Sequence, residues 1–177
     1  YNDFKQRIDE IQSVINIKGL DEQKQNIINK LSYINIITSL DTFICDIILT
    51  KIIQDEESFN NFFNSIPPCK KKDEMTKLKE DNLVAQWEQK VIEYVMRTSY
   101  SNIDTIKDIL KELFKVSIID TNGKMKKHFY YRNLLAHRNG RKKDGGYINI
   151  TNEELKSLIT DTQSIAKQIQ TKIKPDH

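Results

Sequence analysis

The residues best suited to chemistry are Arg132, Asn133 and His137, in the run Arg132-Asn133-Leu134-Leu135-Ala136-His137, followed at once by Arg138-Asn139-Gly140. A helix through this run sets Asn133 and His137 four residues apart on one face. Arg132 lies one residue aside, with a side chain long enough to swing over. A guanidinium stays protonated, and its planar fork matches a phosphoryl oxygen. An imidazole can give or take a proton at physiological pH. Asn133 can orient the imidazole or a ribose hydroxyl, and Leu134, Leu135 and Ala136 read as apolar spacers that fix the helix on the core. These groups suffice for metal-independent RNA cleavage. A 2′-hydroxyl attacks the adjacent phosphorus, a base takes its proton, and cations stabilise the phosphorane. The products are a 2′,3′-cyclic phosphate and a free 5′-hydroxyl. One His per chain is thin for two proton transfers, so a homodimer meeting at this helix is the expected working form.

The surroundings raise this reading above surface decoration, which is what an isolated Arg and His usually are. From Lys124 to Lys143 the chain carries Lys124, Lys126, Lys127, Arg132, Arg138, Arg141, Lys142 and Lys143, with no Asp or Glu. Such a span neutralises phosphates and draws in a polyanion. Arg138, Arg141, Lys142, Lys143 and Lys127 are the expected holders of an RNA backbone. His128 sits among Lys126, Lys127, Phe129 and Tyr130 and is read as structural or RNA-facing, an accessory at most. Asp41 and Asp46, in an apolar stretch, read as capping or pairing residues; Asp41 is kept as an accessory that could orient a cation of the site.

The 177 residues suit one domain with a real core. With 5 Gly and 3 Pro, and many helix-compatible polar residues, the composition points to an all-α chain. The net charge of +3 says little beside its uneven distribution. Cys45 and Cys69 make neither a disulfide framework nor a metal spacing, and a cytoplasmic setting is expected. A secretory signal and an apolar run of membrane-spanning length are both missing from the sequence, so no membrane partner is expected. The chain begins with Tyr rather than Met, as a piece or trimmed form of a longer protein would. It has no P-loop, no G-x-G-x-x-G and no His or Cys zinc spacing, so neither a cofactor nor a metal is expected.

Periodicity predicts the elements that must position the site. Phe4, Ile8, Ile11 and Ile15 mark a helix over 1–18, closed by Lys18-Gly19-Leu20-Asp21. A long helical pattern from 21 to 54 carries Ile27, Ile28, Leu31, Ile34, Ile37, Leu40, Ile44, Ile47 and Ile48 on its inner face. Ser39-Leu40-Asp41-Thr42 could restart it. Phe59, Phe62 and Phe63 turn inward from a helix over 55–65, stopped by Pro67-Pro68. A charged, flexible loop is expected over 68–76. One helix then runs from Thr76 to Arg97 with Leu78, Leu83, Val84, Trp87, Val91, Tyr94 and Val95 inward. Ser101-Asn102 caps a helix over 103–114, and Asp120-Thr121-Asn122-Gly123 turns into the motif helix, which ends at Gly140. A basic loop and a short extended piece at Tyr147-Ile148-Asn149-Ile150 follow. Thr151 and Glu154 form a capping box for a helix to Ile173, ended by Lys174-Pro175, with Leu155, Leu158, Ile159, Thr162, Ile165, Ala166 and Ile169 inward. His177, at the terminus, gets no role.

The Arg-Asn-Leu-Leu-Ala-His-Arg-Asn-Gly segment resembles the motif of HEPN domains (higher eukaryote and prokaryote nucleotide-binding domains): Arg, a polar residue, three to five residues, His. Ser39-Leu40-Asp41-Thr42-Phe43-Ile44-Cys45-Asp46 resembles the first core helix of their prokaryotic, RiboL-PSP-like branch. The Trp87 helix, the Ser99-Tyr100-Ser101-Asn102-Ile103-Asp104 turn and the passage into Ile150-Thr151-Asn152-Glu153-Glu154-Leu155 match in order. The likeness covers about residues 34 to 173, with 1–33 as a helical extension of a single domain. It implies an all-α, up-and-down helical bundle with added helices, dimerising through the motif helix, and endoribonuclease activity in many members. It casts Arg132, Asn133 and His137 as the active site of a toxin or antiphage abortive-infection effector acting on tRNA or mRNA, under an antitoxin or in a larger defence complex. The alternative is a non-catalytic RNA-binding or protein-interaction module of a larger defence protein. In one branch an antitoxin modifies a Tyr soon after the His; here Arg138-Asn139-Gly140 stands there and the next Tyr is Tyr147, a departure from that scheme.

Overall fold

A computed structural model describes residues 1–66, 68–98, 100 and 102–173. The expectations that rest on Pro67, Ser99, Ser101, Lys174, Pro175 and His177 lie outside the described residues. The chain is all-α. Its helices are α1 (Asn2–Ile15), α2 (Glu22–Gln54), α3 (Glu56–Ser65), α4 (Lys70–Glu80), α5 (Val84–Arg97), α6 (Ile103–Phe114), α7 (Lys124–Arg138) and α8 (Asn152–Lys172). They fall into two compact units. One holds Tyr1–Phe43, Ser101–Ile103 and Ile118–His177; the other holds Ile44–Tyr100 and Asp104–Ser117.

The first unit carries the motif. Phe4 and Ile8 of α1 are buried, as are Tyr33, Ile36, Ile37 and Leu40 of α2. The seven apolar and small positions expected inward on α8, from Leu155 to Ile169, are all buried. The Asp21 carboxylate accepts the Lys24 N–H at 2.8 Å and starts α2. That helix does not restart at Ser39: it runs from Glu22 to Gln54, and the Ser39 and Thr42 hydroxyls donate back to the Asn35 and Thr38 carbonyls instead of capping a new start. The first turns of α2 correct the expected face, since Ile27 and Leu31 are exposed. The packed stripe there is Asn29, Ser32, Tyr33 and Ile36. Buried Asn29 explains the rotation. Its amide donates to the Ile150 carbonyl at 2.8 Å and to Asn152 Oδ1 at 3.2 Å, and its Oδ1 accepts from Gln25. A hydrogen-bonded amide replaces apolar contact, which hydropathy periodicity cannot foresee.

A buried polar chain joins three helices of this unit. Tyr33 Oη lies 2.7 Å from His128 Nδ1, and His128 Nε2 lies 3.1 Å from Asp161 Oδ2. A carboxylate can only accept, so Nε2 carries the proton and Nδ1 accepts from the Tyr33 hydroxyl. Asp161 also accepts from Ser157 and pairs with Lys124 at 3.3 Å. Burial holds the His128 imidazole below its usual range; Asp161 pulls the other way, and Lys127 and Lys124 add to the depression. Burial likewise pushes the Tyr33 phenol far up, so it stays a donor.

In the second unit Phe59, Phe62, Phe63, Trp87, Val91 and Val95 are buried. Trp87 meets Phe59 and Phe63 edge-on, at centroid distances of 4.9 and 5.4 Å. Asp55 caps α3 by accepting the Glu57 and Ser58 N–H groups. The expected loop over 68–76 is mostly helix. The expected single helix from 76 to 97 is two, α4 and α5, parted where Asn82 adopts a positive φ of 57°. Asn tolerates that conformation, and the Leu83 N–H closes onto the Leu78 carbonyl at 2.9 Å. Two lysines of α4 are not simply solvated. Lys72 caps the end of α3 through the Asn64 and Ile66 carbonyls, and the Lys79 ammonium sits 4.5 Å over Trp87. Leu83 and Val84, expected inward, are exposed beside this break.

The neutral, buried state of His128 makes stability depend on pH. Its folded-state pKa lies below that of an unfolded imidazole, so the unfolded chain takes up the proton first as pH falls. The stabilisation is complete above the ordinary value of 6.5 and is lost as pH drops through and below it. Denaturant midpoints should fall between about pH 7.5 and about pH 5. His128→Gln, which cannot titrate, should be less stable at the upper pH and show a flatter profile. Parallel profiles for the two proteins would contradict this.

Candidate active site

Helix α7 opens from a tight turn. Asp120 Oδ1 accepts the Met125 N–H at 3.0 Å, and Asn122 and Gly123 both take positive φ. Met125, His128, Phe129, Leu134 and Leu135 form its buried face. Asn133, Ala136, His137 and Arg138 are exposed, so Ala136 is not a core spacer. The last helical residue is Arg138, with Asn139 as C-cap and Gly140 at the C′ position, where the glycine is expected to close the helix. Asn139 and Gly140 are both left-handed, at φ 50° and 79°, and the Gly140 N–H closes onto the Leu134 carbonyl at 2.9 Å.

The basic loop after α7 is pinned to it. Ile148 N–H donates to the Gly140 carbonyl at 2.9 Å, Lys142 N–H donates to Gly146, and Arg141 bridges Tyr147 in antiparallel fashion. Ile148 and Ile150 are buried while Tyr147 and Asn149 are exposed, as their alternation predicts. Arg141 and Lys143 are exposed and Lys142 is half-buried, on a hairpin anchored beside the end of α7.

Arg132 is mostly buried, at 16% side-chain exposure. Its Nη1 donates to Asn133 Oδ1 at 3.0 Å, and Nη2 lies 4.0 Å from Asp41 Oδ2 of α2. Its Nε is buried and meets no acceptor among the described residues. The long Asp41 contact orients the fork more than it stabilises the fold. Asn133 is therefore engaged with Arg132. His137, one turn on, makes no side-chain hydrogen bond among the described residues and stands in solvent. Lys127 is exposed with its ammonium 5.1 Å over the Tyr131 ring. His128 is removed from any RNA-facing role, because it is 6% exposed and both ring nitrogens are engaged. Sequence reasoning missed its partners Tyr33 and Asp161, 95 and 33 residues away. The available signal was Asp161 bordering the apolar stripe of α8. Among the described residues no group of three His, Cys, Asp or Glu side chains could hold a metal ion. Among the described residues Cys45 and Cys69 form no disulfide, and the Cys45 thiol lies 4.0 Å from the Val95 carbonyl.

The sequence model of the RiboL-PSP-HEPN family matches residues 2–175, nearly the whole chain. The chain belongs to the RiboL-PSP-HEPN family. HEPN domains are often ribonucleases, and membership supports an RNA-directed role in general terms. Comparisons with curated proteins and with solved structures returned no match. Among the described residues of this HEPN chain no helix is long and apolar enough to cross a membrane.

The hairpin of this HEPN chain depends on Gly140. A Cβ there would stand 3.3 Å from Leu135 Cδ2, in a conformation that L side chains rarely adopt. Gly140→Ala should therefore lower unfolding free energy by about 1–2 kcal/mol. Asn139→Gly, at the other left-handed position, should leave it unchanged or slightly raised. Denaturation of the two variants beside wild type checks this, and equal effects would contradict it.

Proposed function

We propose that this chain is a metal-independent endoribonuclease of the HEPN type, acting as a homodimer whose motif helices complete one cleft. The observation that carries the reading is the division of labour on α7. His137 is exposed with its ring unengaged, and Arg132 is oriented by Asn133 and Asp41 beside it. His137 moves the proton of the attacking 2′-hydroxyl or of the departing 5′-oxygen. Arg132 stabilises charge on the phosphorane, and Asp41 and Asn133 aim its fork. Transfer to the leaving oxygen needs a second group, which the same residue of a second chain supplies. Arg138, Arg141, Lys142, Lys143 and Lys127 hold the backbone by charge, so binding weakens as salt rises. A cellular role as a toxin or antiphage effector, held in check by an antitoxin or a larger complex in the cytoplasm, suits an enzyme of this kind.

Incubation with tRNA or total RNA in EDTA tests the reading. Wild type should leave 2′,3′-cyclic phosphate and 5′-hydroxyl ends. His137→Ala should lose about 100-fold or more of the rate, Arg132→Ala a comparable amount, and Asp41→Asn less than either. Background cleavage by wild type and His137→Ala alike would sink the enzyme reading and leave a binding module.

A further inference from the structure

Helix α7 turns a stripe to solvent at Lys126, Tyr130, Asn133 and His137, spaced by four, three and four residues. One member is not explained by the chemistry above. Tyr130 leaves 48% of its surface in water, although burial of an aromatic ring is favourable. Its neighbour Tyr131 is half-buried, 6.4 Å from Tyr33 with Lys127 over its ring. Tyr130 only leans on Tyr131, at 6.2 Å and 51°, a tilted contact that steadies the ring without stacking on it. Its hydroxyl makes no hydrogen bond among the described residues.

The position is informative. Lys126 and Lys127 lie one turn before Tyr130, Asn133 one turn after and His137 two turns after, a rise of about 10 Å along the helix. A steadied, open ring beside cations is what an unpaired nucleobase requires. The π-face stacks on the base, and the cations hold the flanking phosphates.

We propose that Tyr130 is the stacking platform for a nucleobase close to the phosphate that reacts at Arg132 and His137, and that it sets the register of the RNA on α7. The register function rests on the ribonuclease reading; the stack itself does not require cleavage. Stacking needs the ring and not the hydroxyl, which separates this role from a hydrogen bond.

The test measures binding of a short, random-sequence 2′-O-methyl oligoribonucleotide, which cannot be cleaved, by fluorescence anisotropy. Wild type, Tyr130→Phe and Tyr130→Leu are compared, with sedimentation of each protein and cleavage of the matching unmodified RNA. Tyr130→Leu should weaken binding about tenfold or more and raise KM. Tyr130→Phe should match wild type, and all three should sediment alike. Four results would overturn the proposal: no binding by wild type, wild-type affinity in Tyr130→Leu, equal loss in Tyr130→Phe, or dissociation of Tyr130→Leu to monomers with loss of affinity. If wild type binds with this ring dependence but does not cut, the ribonuclease reading fails and the stack stands. If Tyr130→Leu binds and cuts like wild type, the stack fails and the ribonuclease reading stands.

Discussion

The buried chain from Tyr33 through His128 to Asp161 is the interaction on which the motif unit depends. It joins α2, α7 and α8 by directional bonds, and each bond constrains the rotation of α7 about its axis. Apolar packing of Met125, Phe129, Leu134 and Leu135 favours burial of that face but tolerates small slips. A phenol and a carboxylate at fixed positions do not. With His128 turned inward, Tyr130, Asn133 and His137 must face out. The same chain also explains why one imidazole is silent and another open. His128 has both nitrogens engaged and its charged form disfavoured, while His137 is bonded to nothing among the described residues.

Electrostatics then shapes the surface around the open imidazole. The acid-free span from Lys124 to Lys143 would repel itself if it were compact, yet it is folded into a helix end and a pinned hairpin. Asp161 relieves the start of that span through Lys124, and Asp41 relieves its middle through Arg132. Both carboxylates come from other helices. The cations farther on, Arg138, Arg141 and Lys143, are left facing solvent on the hairpin side, where a polyanion would supply the missing negative charge.

Much of this was legible in the sequence because it is local. The capping box at Thr151 and Glu154, the inward stripe of α8, the three phenylalanines of α3 and the alternation at Tyr147 to Ile150 follow from spacing alone. The misreadings share another cause. Asn29 rotated the first turns of α2 by bonding a carbonyl more than a hundred residues away. Lys72 of α4, in an apparent charged loop, caps α3, and Lys79 covers Trp87. Asn82 broke a continuous pattern by taking a left-handed conformation. Each depends on a polar partner or a backbone preference that hydrophobic periodicity does not register. The site was legible in the same uneven way. The run from Arg132 to His137 stands out by residue type, whereas the inward role of His128 depends on partners from two other helices.

The central claim is that one imidazole is locked as a structural link and another is open for chemistry. Long-range proton–nitrogen spectra of the histidine rings test it most directly, recorded on the full chain between about pH 7 and 8, with and without a 2′-O-methyl oligoribonucleotide. The account predicts that His128 keeps the neutral Nε2–H pattern throughout and ignores the RNA, while the His137 signals move when RNA is added. Protonation of His128 within that range, or RNA shifts at His128 with none at His137, would contradict it.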